Sequence, residues 1–196
     1  LIALPVVDAL YRERTTGNLH HQLTRMSRFS YYLQKFLFAY GFSFLCFISP
    51  LLFDMILINL ITGQWDYSAY ALAYQKMVEG TAVVGDSTSF SQLKTLFSDL
   101  LAISPYLYIL VYYLIGGLYA GVYTCFGLAA SLFVKNRYLI VFLPICLYLG
   151  CWILFTITGF LAWDPFNFLL PTQPVAKMSY LPFIVDYAVL MTATVL

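Results

Sequence analysis

Charge is the scarcest property of this sequence. Of 196 residues, 10 are Lys or Arg and 9 are Asp or Glu, whereas a soluble domain carries about 25% charged residues. Hydrophobic residues make up 62%, and mean hydropathy is +0.82. A soluble fold of this length still leaves roughly 30% of its unfolded-chain surface in water, and this composition cannot cover that surface with polar groups. An integral membrane protein is expected. The net charge of +1 lacks the basic excess of a nucleic-acid binder.

Other absences remove whole classes of chemistry. Cys46, Cys125, Cys146 and Cys151 each lie in an apolar stretch and form no C-x-x-C pair, so they read as small buried side chains rather than a disulfide framework or zinc site. His20 and His21 are adjacent, and adjacent residues do not share a helix face, so they make a poor metal pair. No His, Lys or Glu falls within a long apolar run, which denies an intramembrane protease its base or ligands. No G-x-x-x-x-G-K-[ST] occurs, so the chain does not bind ATP through a P-loop. No catalytic activity, cofactor or metal is expected of the chain itself. It starts at Leu1, ends at Leu196 inside an apolar run, and shows no signal peptide. It reads as a fragment missing an upstream span and part of the last one.

What is abundant is long apolar runs. A bilayer needs about 20 apolar residues, and residues 36–62, 105–134 and 138–163 supply that length, with 181–196 as a truncated fourth run. They lack the alternation of barrel strands, so a polytopic helical bundle is expected. Basic residues set its orientation. Arg12, Arg14, Arg25, Arg28 and Lys35, with Lys135 and Arg137, fall on one side; Lys76, Lys94 and Lys177 fall on the other. Seven against three places residues 11–35 and 135–137 in the cytoplasm.

The connections are patterned. In the outer loop 63–104, Tyr67, Tyr70, Ala71, Tyr74, Met77 and Val78 recur with helical spacing, as do Phe90, Leu93, Phe97, Leu100 and Leu101. Two short amphipathic helices are expected, packed as a lid. Lys76 and Lys94 against Asp66, Glu79, Asp86 and Asp99 leave the loop acidic, which disfavours adsorption to anionic lipid. Between 164 and 182, Pro165, Pro171, Pro174 and Pro182 forbid a continuous helix, yet Phe166, Phe168, Leu169 and Leu170 are apolar. Short broken helices dipping into the outer leaflet fit that combination; so does an ordinary structured loop. Gly117, Gly121, Cys125 and Ala129 fall every four residues, giving one helix face on which a second backbone can approach closely. Asp54 is the one ionisable group well inside a long run. It either serves a polar path or a neighbouring helix, or reaches headgroups and water.

The segment 8–38 carries the most specific signal. A Glu-x-x-x-Gly element (Glu13, Gly17) is followed by Leu23-Thr24-Arg25 and by Tyr32-x-x-Lys35-Phe36 running into a span. This resembles the permease subunits of bacterial ATP-binding-cassette (ABC) transporters of the type-2 exporter class. The resemblance implies a cytoplasmic coupling helix within 11–28, with Glu13, Gly17, Leu23, Thr24 and Arg25 as the ATPase-coupling residues. It also implies a re-entrant hairpin at 164–182 and a six-span permease, of which 36–62 is the third span and 181–196 begins the sixth. The implied partners are a separate ABC ATPase subunit, a second permease subunit and the lipid bilayer of the bacterial cell membrane. A secondary transporter using Asp54 or Asp186, or a non-transport assembly or immunity protein, stays open as an alternative.

Overall fold

The computed structural model describes residues 12–13, 16, 27–63, 93–94, 96–134, 136–170, 175–176 and 179–195. In chain order these form α1 (Arg28–Thr62), β1 (Leu93–Lys94), α2 (Ser98–Ile103), α3 (Pro105–Phe133), α4 (Arg137–Thr158), a 3-10 turn (Leu161–Trp163), α5 (Pro165–Leu169), β2 (Val175–Ala176) and α6 (Tyr180–Val195). Apart from the two-residue ladder of β1 with β2, the regular structure is helical.

Three helices, α1, α3 and α4, are long and apolar enough to cross a membrane. Their 35, 29 and 22 residues reach about 52, 43 and 33 Å, against roughly 30 Å of hydrocarbon. The expected fourth run is helical too, but the 16 residues of α6 reach only about 24 Å. Phe38, Leu45, Phe53 and Leu60 of α1 are each about two-thirds exposed. That surface suits lipid as its solvent, where apolar side chains need no cover but every backbone group must be bonded internally. These features point to membrane association.

Two boundaries differ from expectation, for local reasons. α1 begins at Arg28 rather than Phe36, because the Ser27 hydroxyl accepts the Ser30 N–H at 3.2 Å and caps the first turn. The last part of the 11–35 segment is therefore helix continuous with the apolar run. α4 stops at Thr158 rather than Trp163, because Gly159 takes a left-handed φ of 77° that closes a helix C-terminus without a Cβ clash. Gly63, φ 63°, does the same after α1.

The chain divides into two compact units: Leu1–Ser49, Gly116–Gly150 and Tyr187–Leu196 form one, and Pro50–Ile115 with Cys151–Asp186 form the other. In the first, the small-residue stripe of α3 meets a ridge of large residues on α1. The Cys125 thiol reaches the Phe36 carbonyl at 3.6 Å. A Cβ built on Gly121 would lie 2.8 Å from the Tyr40 ring, and one on Gly117 would lie 2.9 Å from both Phe44 and Ile48. Residues 36, 40, 44 and 48 thus stand every four along α1 and run antiparallel to 125, 121 and 117. Ridge into groove is the reason the stripe exists.

In the second unit, Leu96, Tyr108 and Tyr112 form a buried cluster flanked by Phe97, Leu100, Ile109 and Phe183. Of the amphipathic helix expected across 90–101, α2 supplies the last part, Ser98–Leu101, but Leu93 and Lys94 are not helical. Instead Leu93 and Lys94 pair antiparallel with Ala176 and Val175, and Phe97 adopts φ 73° before α2 starts. A left-handed non-glycine residue costs about 1–2 kcal/mol. The Phe97 ring offsets it by packing on Tyr180 and Tyr112, at centroid distances of 5.3 and 6.3 Å. The proline-rich stretch holds one five-residue helix. The Asp164 carboxylate accepts the Phe166 N–H at 3.0 Å, with Pro165 at the first helical position, a favoured pairing of cap and proline. The expected helix over 67–78 lies outside the described residues.

Candidate functional site

Among the described residues before α1, Glu13 is tied to that helix through its carboxylate. Arg12 and Glu13 are helical, and Thr16 closes the turn by donating both its N–H and its hydroxyl to the Arg12 carbonyl, at 2.9 and 2.8 Å. Glu13 then reaches across to α1. Its Oε1 accepts from Lys35 Nζ at 2.6 Å, and its Oε2 accepts from the Tyr31 hydroxyl at 2.5 Å. Lys35 Nζ also stands 5.7 Å from the centroid of the Tyr31 ring. Tyr31 and Lys35 are four residues apart, one above the other on the helix. Tyr31 is buried with Ala39 and Leu128, so its ring is held by packing before its hydroxyl bonds anything.

The electrostatics favour ionised Glu13. Burial pushes its carboxyl up, but the hydrogen bonds from Lys35 and Tyr31 and the Lys35 charge outweigh that and hold it below the ordinary 4.5. Lys35 and Glu13 side chains are 32% and 22% exposed, so water screens the pair only in part. An exposed pair contributes about 0.2–1 kcal/mol, and hydrogen bonds to a charged group about 1.5–3 kcal/mol. Geometry gives this carboxylate both.

Of the residues expected to couple to a partner, Glu13 is therefore engaged within the chain. Gly17, Leu23, Thr24 and Arg25 lie outside the described residues. Tyr31 was not singled out in the sequence, where Tyr32 carried the pattern; the four-residue spacing to Lys35 was the available signal. Asp54, the candidate for a polar path, is exposed on α1, and no hydrogen bond or ion pair reaches it among the described residues. Asp186 is half-buried on α6. Among the described residues no three His, Cys, Asp or Glu side chains gather into a metal-binding group.

Comparison of the chain with protein-family models, with curated proteins and with solved structures finds no match in any of the three.

Proposed function

We propose that this chain is the membrane-spanning permease subunit of an ATP-driven ABC exporter in a bacterial cell membrane. A separate ATPase subunit hydrolyses ATP, and a second permease subunit completes the translocation path. The observation that carries this reading is the Glu13 clamp. Glu13 and Lys35 are two of the residues on which the resemblance rests. Their side chains, 22 positions apart, lie 2.6 Å apart in the fold.

The clamp gives that pair a physical purpose. A permease without a P-loop must take its motion from a partner, and the knob that receives the push must be tied firmly to a span. Both Glu13 oxygens are occupied by α1, so Glu13 acts in transmission, and docking on the ATPase falls to its neighbours, Arg25 among them. The bias of basic residues, seven against three, supports a cytoplasmic position for this segment. The helices α1, α3 and α4 supply spans of sufficient length.

The test is a search of the neighbouring genes for a P-loop ATPase and co-expression of this chain with any found, comparing wild type with Glu13→Gln, Lys35→Met and the double variant. The two subunits are expected to co-purify in every case, while permease-stimulated ATP hydrolysis falls roughly fivefold for a coupling loss of about 1 kcal/mol. The double variant should lose no more than either single one. Absence of any co-purifying ATPase in wild type refutes the permease reading. Full stimulation in all three variants refutes the transmission role of Glu13.

A further inference from the structure

A groove of about 540 Å³ lies beside the first turns of α1. Phe29, Leu33, Phe36 and Leu37 line it from α1, with Cys125 of α3 and Met191 of α6 opposite. Its deeper polar atoms are already occupied. The Tyr40 and Tyr187 hydroxyls bond each other at 2.9 Å, Thr194 donates to the Met191 carbonyl at 2.7 Å, and the Cys125 thiol faces the Phe36 carbonyl. Such a groove selects an apolar occupant, because nothing in its depth is left to pair with a polar one.

Tyr32 is different. It also lines the groove, and its hydroxyl has no hydrogen-bond partner among the described residues. Arg28 stands one turn earlier on the same face as Tyr32. It is exposed and makes no ion pair among the described residues. A cation in the first turn of a helix is opposed by the helix dipole, so Arg28 does not serve α1 itself. Lys35, by contrast, is committed to Glu13.

We infer that this groove binds one acyl chain of an anionic phospholipid from the same leaflet, with its phosphate held by the Arg28 guanidinium and the Tyr32 hydroxyl. The inference rests on α1 crossing a membrane and is independent of the transport reading. An apolar tail fills the lined groove, and Arg28, one turn from Tyr32 on α1, discriminates between headgroups.

The experiment uses the purified chain in nanodiscs. Trace phosphatidylglycerol or phosphatidylcholine, each carrying a photoactivatable diazirine in one acyl chain, is crosslinked and the labelled peptides are mapped. Phosphatidylglycerol is expected to label 29–40 and 187–195 in preference to other apolar segments, and to exceed phosphatidylcholine there. One basic residue near a membrane surface accounts for roughly a fivefold preference, which Arg28→Gln should remove. Met191→Trp, which fills the groove, should lower labelling by both lipids while leaving α4 labelling unchanged. Equal labelling by the two lipids in wild type overturns the proposal without reference to any variant. So does label spread evenly around α1.

Discussion

Gly121→Ala is the sharpest test of the α1–α3 packing, because one methyl group is added where the geometry leaves no room. The new Cβ would stand 2.8 Å from Cδ2 and Cε2 of Tyr40, nearer than packed carbon atoms approach. The ring must move, and its hydroxyl is tied to Tyr187 at 2.9 Å. Overpacking costs about 1–3 kcal/mol, and loss of the hydroxyl pair a further 0.5–1.5 kcal/mol or so. Against this, Ala is better than Gly inside a helix by about 0.8–1 kcal/mol. The balance is a destabilisation of roughly 1–3 kcal/mol. Gly150→Ala is the matched control: Gly150 lies within α4 and a Cβ there meets nothing within 4 Å. It keeps the helix gain of about 1 kcal/mol with no packing loss. Unfolding in mixed micelles, followed by helical circular dichroism, should separate the two variants by about 2–4 kcal/mol. Tyr40→Leu should rescue part of the Gly121→Ala loss. If Gly121→Ala proves as stable as Gly150→Ala, the ridge-and-groove assignment is wrong.

Three further outcomes follow from single positions. Phe97→Ala should destabilise more than Phe97→Gly by about 1 kcal/mol, because both lose the ring packing but only Gly relieves the left-handed backbone; equal losses in the same unfolding assay would contradict the strain. Burial holds the Asp164 carboxyl above its ordinary 3.8 despite the hydrogen bond from the Phe166 N–H. Its contribution to stability is therefore present below that value and lost as pH rises through the raised pKa, and Asp164→Asn should flatten that part of the stability–pH profile. Ser43 is fully buried, and its hydroxyl has no hydrogen-bond partner among the described residues, so Ser43→Ala should stabilise by about 1 kcal/mol.

The long helices were legible because their signal is local: an apolar run of bilayer length needs no knowledge of its neighbours. The small-residue face of α3 was legible as a face, but its partner was not, since the spacing of Phe36, Tyr40, Phe44 and Ile48 is unremarkable among so many apolar residues. Within 90–101, whose last residues do enter α2, Leu93 and Lys94 misled for the opposite reason. The helical periodicity of the stretch is real, but Leu93 and Lys94 pair with Val175 and Ala176, some 80 positions away, and a local pattern cannot weigh a distant strand against a helical turn. The cap of α5 was readable in Asp164-Pro165 by the rules for helix starts, although the surrounding prolines drew attention to what they break. In the clamp, Glu13 and Lys35 were singled out, but Tyr31 was passed over for Tyr32. Only the burial of Tyr31 against Leu128 distinguishes two adjacent tyrosines on the same turn.

If both proposals hold, that one-residue difference separates two roles on the same stretch of α1, and it yields a prediction in which the two move in opposite directions. Tyr31 and Lys35 face Glu13, while Tyr32, Phe36 and Tyr40 line the groove; consecutive residues are turned about 100° apart on a helix. On this reading Lys35 does not attract lipid while Glu13 pairs with it. Glu13→Gln removes that ion pair and leaves a second uncommitted cation one turn from Tyr32. Coupling to an ATPase should fall, while preference for phosphatidylglycerol over phosphatidylcholine should rise, by up to about fivefold for one basic residue at the surface. Adding Lys35→Gln should cancel the lipid gain without restoring coupling. Acid should mimic the substitution: the Glu13 pKa is depressed, so the clamp holds above the ordinary 4.5 and is lost only as pH falls through the lower folded value. In nanodiscs the lipid preference of wild type should therefore stay flat from neutral pH down to about 4.5 and climb below it, while that of Glu13→Gln stays high throughout. A Glu13→Gln protein with the headgroup preference of wild type would show that Lys35 does not attract the headgroup, and the two faces would then have to be treated as unconnected.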